Sequence, residues 1–123
     1  QAQALIERFG LVPYADTLAG NLSYGRKRVL ELATTLALEP KVLLLDEPMA
    51  GLGREDIGRV TQLIREAGQG RTVLLVEHNM KVVAELADRI TVMVRGEILA
   101  EGSYAEVSSR PDVMAAYTGQ AHG

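Results

Sequence analysis

A chain of 123 residues holds one domain at most, and 47% apolar residues are enough to bury a core. A net charge of -3 and an isoelectric point near 5.4 give no overall attraction to polyanions, so nucleic-acid binding would need a strong local patch, and Arg26-Lys27-Arg28 is the one candidate. The absence of cysteine excludes a disulfide framework and thiolate chemistry, and the longest apolar runs, about five residues, fall far short of the roughly 20 needed for a membrane-spanning helix.

Gln1 to Phe9 has the pattern of a helix end closed by Gly10, and Pro13, Asp16, Gly20 and Asn21 mark a connecting loop. Gln1 stands in the middle of a helical pattern, which leads to the expectation that the natural chain starts further upstream and that this is a soluble protein or a soluble part of one. Ser23 is placed to cap a helix whose apolar positions are Val29, Leu30, Ala33, Leu36 and Ala37, and which Pro40 stops. Three apolar runs follow: Val42 to Leu45 ending at Asp46-Glu47-Pro48, Thr72 to Val76 ending at Glu77-His78, and Ile90 to Val94 ending at Arg95-Gly96. Runs that do not alternate predict strands covered on both faces. Helical patterns lie between them, at Ile57, Val60, Leu63 and Ile64 and then at Met80, Val83, Ala84 and Ala87. This alternation predicts an α/β fold with a mostly parallel sheet and flanking helices. Arg95-Gly96-Glu97 reads as a tight turn into a short strand, Ile98 to Ala100, with helical turns beyond it.

Ligands of parallel α/β sheets sit beyond the carboxyl ends of the strands, which is where Asp46, Glu47 and His78 fall. Asp46-Glu47 has two readings. One is a loop with acids at a helix start. The other, favoured by the apolar run before the pair and Pro48 after it, has the first acid holding Mg²⁺ and the second orienting or deprotonating a nucleophilic water. His78 alone reads as a helix-start or surface histidine; at the end of the next strand it is placed to hydrogen-bond a terminal phosphate. The other histidine, His122, is in the tail, so a His-rich metal site has no support.

Gly20 to Gly25 imitates the G-x-x-x-x-G frame of a phosphate-binding loop, but Arg26 and Lys27 stand where that motif needs Lys and then Ser or Thr, and no strand runs into Gly20. Three basic residues without interleaved aromatics read as a solvated face rather than a nucleic-acid site. What remains is a Ser/Gly turn at a helix N-terminus, whose free N–H groups and dipole suit an anion.

Leu22-Ser23-Tyr24-Gly25, then Leu43-Leu44-Leu45-Asp46-Glu47-Pro48 with Asp46 23 positions after Ser23, then His78, resembles the ATP-binding subunits of ABC transporters. Leu-Ser-Tyr-Gly, Glu77-His78 and the tail Ala116-Tyr117-Thr118-Gly119 look most like the branched-chain amino acid transport members. The resemblance covers essentially the whole chain but only the second half of the family's domain. It implies a partial P-loop NTPase domain of the ABC type, with residues 1–38 ending the helical subdomain, 39–102 forming the catalytic core and 103–123 the tail.

It further implies ATP and Mg²⁺ as cofactors. Ser23 and Gly25, with Leu22 and Tyr24, would form the signature motif that contacts the ATP of the opposite subunit; Asp46 would serve Mg²⁺, Glu47 would be the catalytic base and His78 the switch histidine. Ala50 to Gly53 falls where the family has its D-loop. The implied partners are transmembrane permease subunits, a second ATP-binding subunit and, indirectly, a solute-binding protein, with no nucleic acid. The implied location is peripheral, on the cytoplasmic side of the inner membrane.

Three positions depart from the family pattern: Arg26 for the usual Gln, Tyr24 where many members have Gly, and Gly53 where many have Asp. No G-x-x-x-x-G-K-[ST] occurs in these residues, so this chain alone is expected to bind ATP weakly and hydrolyse it negligibly. The alternatives are an ATPase of another ABC system, for lipopolysaccharide export or a non-transport task, and a nonenzymatic fragment that uses the turn only for dimerisation.

Overall fold

The computed structural model describes residues 1–121; His122 and Gly123, with the histidine considered above, lie outside the described residues. The chain divides into two compact units, Gln1–His78 and Asn79–Gly123. No helix among the described residues is long and apolar enough to cross a membrane.

The first unit opens with α1 (Ala2–Arg8), closed at Gly10 with φ +67°, followed by short 3₁₀ turns at Val12–Tyr14 and Ala19–Asn21. Helix α2 (Tyr24–Leu36) starts where the sequence puts its cap: the Ser23 hydroxyl accepts from the Arg26 N–H at 3.3 Å. Its buried face is Val29, Leu32, Ala33 and Leu36, so Leu32 takes the place expected of Ala37, which is exposed. Strand β1 (Val42–Asp46) pairs in parallel with β2 (Thr72–Val76), and α3 (Arg54–Ala67) makes the crossover between them. Helix α3 buries Val60, Leu63, Ile64 and Ala67, with Thr61 accommodated by a 2.7 Å hydrogen bond from its hydroxyl to the Ile57 carbonyl.

The apolar runs of β1 and β2 lead to the expectation of strands covered on both faces, and here the structure differs. Leu43 is 1% exposed, whereas Leu44 is 72% and Leu74 60% exposed. The register sets Leu44 beside Leu74 and Val42 beside Thr72, so one face of the pair is covered and the other is a bare apolar surface.

The second unit contains α4 (Met80–Leu86), capped by the Asn79 carboxamide, which accepts from the Lys81 and Val82 N–H groups at 3.1 and 3.3 Å. Its buried residue is Val82, while the expected Ala84 is exposed, a shift in the helical face. Strand β3 (Ile90–Val94) pairs antiparallel with β4 (Glu97–Gly102), instead of continuing a parallel series with β1 and β2. The two-residue turn Arg95-Gly96, with φ of +52° and +81°, joins these antiparallel neighbours directly. Ala100, Val107 and Val113 form the core of this unit, drawing on β4, α5 (Tyr104–Ser108) and α6 (Pro111–Ala121). The Ser103 hydroxyl caps α5, accepting from the Glu106 N–H at 3.2 Å and donating to the Glu106 carboxylate at 3.1 Å.

Candidate functional site

The parallel register places Asp46 beside Val76, so the residues that follow on each strand emerge together. The Glu47 N–H continues the ladder, donating to the Val76 carbonyl at 2.8 Å, and the chain then bends at Glu47 with φ +45°. A glutamate in the left-handed region stores strain of order 1–3 kcal/mol, which persists where the surroundings hold it. The bend is fixed on one side by this ladder bond and on the other by the Ala50 N–H, which donates to the Glu47 carbonyl at 3.1 Å. Buried Met49 anchors the same turn.

Across the strand ends, the Nδ1 of His78 lies 3.1 Å from the Oε1 of Glu47. Both side chains are largely open to solvent. Glu77, by contrast, has a side chain only 1% exposed; its Oε1 accepts from the His78 N–H at 3.0 Å and lies 3.8 Å from His78 Nδ1. His78 is therefore flanked by two carboxylates, one exposed and one buried. Asp46 is exposed at the end of β1. Mg²⁺ takes one or two carboxylates and completes its shell with water and phosphate oxygens, so a single exposed carboxylate beside a second acid fits that ion.

The signature-like turn stands on another element, at the start of α2. Ser23 Oγ accepts from Arg26, from its N–H at 3.3 Å and from its guanidinium at 3.2 Å, while that guanidinium lies 4.4 Å over the Tyr14 ring. Gly25 is buried, and a Cβ there would come within 2.8 Å of Asp56 Oδ1 and closer still to Oδ2. Tyr24 turns back onto its own chain: its hydroxyl donates to the Ala50 carbonyl at 3.2 Å and accepts from Arg28 at 2.8 Å. For Arg28, partial burial works to lower the pKa, but hydrogen bonds and charge interactions with Tyr24 and Glu31 outweigh it and hold the guanidinium above its ordinary value. A cavity of about 200 Å³ lies between α2, β1 and α3, lined by Arg28, Glu31, Leu44, Asp46 and Val60 among others; it is below the usual size of a small-molecule site.

The structure thus brings Glu47 and His78 together and leaves Asp46 beside them, while the Ser23-Gly25 turn reaches the acidic turn through Tyr24 and lies against Asp56 of α3. Sequence reasoning took Arg28 only as part of a solvated basic face, whereas it is bonded to Tyr24 and Glu31, and it did not find Asp56. Asp56 carries a partial signal, as an acid in the first turn of α3; the approach of its carboxylate to Gly25 is a tertiary fact.

Two family models match: ABC transporter over residues 1–50, and branched-chain amino acid ATP-binding cassette transporter over residues 97–123. The high-affinity branched-chain amino acid transport ATP-binding protein LivG of Salmonella typhimurium is 42% identical over 98% of this chain and 48% of its own length. The energy-coupling factor transporter ATP-binding protein EcfA2 of Clostridium perfringens is 47% identical over 76% of this chain and 34% of its own. Among solved structures, the ADP conformation of an ATP-binding cassette of an ABC transporter superimposes with a TM-score of 0.84 at 31% identity, covering 96% of this chain and 48% of that one. The chain spans about half the length of the curated relatives it matches. On sequence, fold and the order of its motifs, this chain belongs to the ABC transporter ATP-binding family.

Proposed function

We propose that the protein to which these residues belong is the ATP-binding and ATP-hydrolysing subunit of an ABC importer for branched-chain amino acids. The observation that carries this reading is the 3.1 Å contact between His78 and Glu47 at the carboxyl ends of adjacent parallel strands, directly after an exposed aspartate. In this reading residues 1–38 end the helical subdomain, 39–102 form the catalytic core and 103–123 the tail.

Each residue has a distinct task. Glu47 orients an attacking water and accepts its proton; His78, bonded to Glu47, holds the carboxylate in place and reaches for the terminal phosphate. Asp46 is the carboxylate for Mg²⁺, which when bound neutralises charge on the phosphates. Ser23 and Gly25 present the N-terminus of α2 to the ATP held by a second ATP-binding subunit, where N–H groups and the helix dipole stabilise the anion. The permease subunits that such a dimer drives, and a solute-binding protein feeding them, are the further partners, with the ATPase peripheral on the cytoplasmic face of the membrane.

The branched-chain amino acid cargo is supported by the family match over residues 97–123 and by the LivG relatives. A second reading keeps the ATPase and assigns it to an energy-coupling factor importer, on the strength of the EcfA2 relative at 47% identity. The test is steady-state ATP hydrolysis by the full natural chain with Mg²⁺, comparing wild type with Glu47→Gln. Turnover that is lost in the variant while ATP still drives dimerisation supports the proposal; a wild type without turnover, or a variant that retains it, overturns it. Reconstitution with the permease subunits it is proposed to drive, and uptake of labelled leucine, decide the cargo.

A further inference from the structure

We propose that Tyr24 is a positioning residue whose side chain latches the Ser23-Gly25 turn to the loop that follows Glu47, so that the anion-binding turn and the acidic turn of one chain move as a unit. The consequence for turnover rests on the function proposed above; the latch itself rests on geometry alone.

Tyr24 is the first residue of α2 and the direct neighbour of Ser23. Its hydroxyl is used twice, as donor to the Ala50 carbonyl at 3.2 Å and as acceptor from Arg28 at 2.8 Å. The Arg28 guanidinium also lies 5.3 Å over the ring, one helical turn on, so the ring is gripped from its own helix while its tip reaches the loop. On the loop side, Gly51 has φ +78°, and a Cβ there would stand 3.1 Å from Tyr24 Cε1. Gly51 is thus demanded twice, by its backbone and by the ring that packs on it.

The loop is in turn tied to Glu47, whose carbonyl accepts from the Ala50 N–H at 3.1 Å. A continuous path runs from Ser23 through the Tyr24 side chain to Ala50 and on to the backbone of Glu47. The missing Cβ of Gly25 leaves room at the same junction for the Asp56 carboxylate at the start of α3.

The experiment uses the full natural chain as wild type, Tyr24→Phe and Tyr24→Gly, with two readouts. Amide hydrogen exchange over residues 49–53 should rise about tenfold in Tyr24→Gly and less in Tyr24→Phe, which keeps the ring, while exchange in the middle of α3 stays as in wild type. ATP turnover should show kcat falling about tenfold in Tyr24→Gly with KM for ATP within about twofold, the signature of lost alignment rather than lost binding. Unchanged exchange over residues 49–53 overturns the latch. Faster exchange with unchanged kcat, or a loss confined to KM, overturns the positioning role. A wild type that never turns over ATP overturns the functional reading instead, and the exchange readout still decides the latch.

Discussion

The imidazole of His78 and the carboxylate of Glu47 meet at 3.1 Å although 31 positions separate them in sequence. The parallel ladder of β1 and β2 makes the meeting possible, because Asp46 and Val76 are register partners and the Glu47 N–H extends the pairing to the Val76 carbonyl. A carboxylate only accepts, so Nδ1 is the donor in this contact, and only the imidazolium, with both nitrogens protonated, can at the same time donate from Nε2 to a phosphate oxygen. Removing the carboxylate with Glu47→Ala should return the ring toward the Nε2–H tautomer, read from the ¹⁵N shifts of His78. An unchanged tautomer would show that the contact does not orient the ring. Turnover of the full natural chain should fall at least about 10²-fold in the same variant, as expected for a lost general base.

The backbone at Glu47 supplies a separate test. Its φ of +45° is comfortable for glycine and costly for glutamate. Glu47→Gly should therefore raise stability, by about 1 kcal/mol, while abolishing hydrolysis. Thermal or urea unfolding of wild type and variant measures this. A destabilised variant would mean that the side-chain contact with His78 outweighs the strain.

How far this site could be read without coordinates depended on the range of each interaction. The Ser23 cap, the strand ends at Asp46 and Val76 and the turn at Arg95-Gly96 are local, and each was legible from residue type and spacing. The strand partners were not equally so. An apolar run reports that a strand has a place in a covered sheet, not which faces are covered within these residues, so which side chains stand bare, Leu44 and Leu74 among them, needed the structure. Tyr24 shows the same limit: its position in the motif is legible, but the turn of its hydroxyl toward Ala50 depends on a loop 26 positions away.

Gly25 should show a change of sign with its surroundings. In a helix, alanine is favoured over glycine by about 1 kcal/mol. Here the added methyl meets the Asp56 carboxylate, which must move aside. Gly25→Ala should therefore destabilise the wild type but stabilise the Asp56→Ala background, with a coupling of about 2 kcal/mol in a double-mutant cycle. Additive effects would show that Asp56 swings away freely.

In the second unit the start of α6 predicts an acid-sensitive pair. Asp112 accepts from Arg110 at 2.6 and 3.0 Å, and this hydrogen bonding holds its carboxyl below the usual carboxylate range. A depressed folded pKa stabilises above the unfolded value, so the contribution is present at neutral pH and is lost as pH falls through the folded pKa. Arg110→Ala should move the Asp112 titration back up to the ordinary range, followed by carboxyl ¹³C shifts. The pair is solvent-exposed, so the effect is on titration far more than on global unfolding.

The uncovered face of β1 and β2 governs how the 123-residue chain behaves by itself. Val42, Leu44, Leu74 and Val76 share that face, all more than half exposed, on two strands in register. At roughly 25 cal/mol per Å² of apolar area, burying such a surface favours association, and paired strands with free edges add a template for it. The chain should therefore self-associate at micromolar concentrations, as measured by sedimentation velocity. Lysine at Leu44 and Leu74 places charge on the exposed face and leaves buried Leu43 in place. Leu44→Lys with Leu74→Lys should shift the chain toward monomer with an unchanged far-ultraviolet circular dichroism spectrum. If the double variant sediments like the parent, a surface other than this one drives the association.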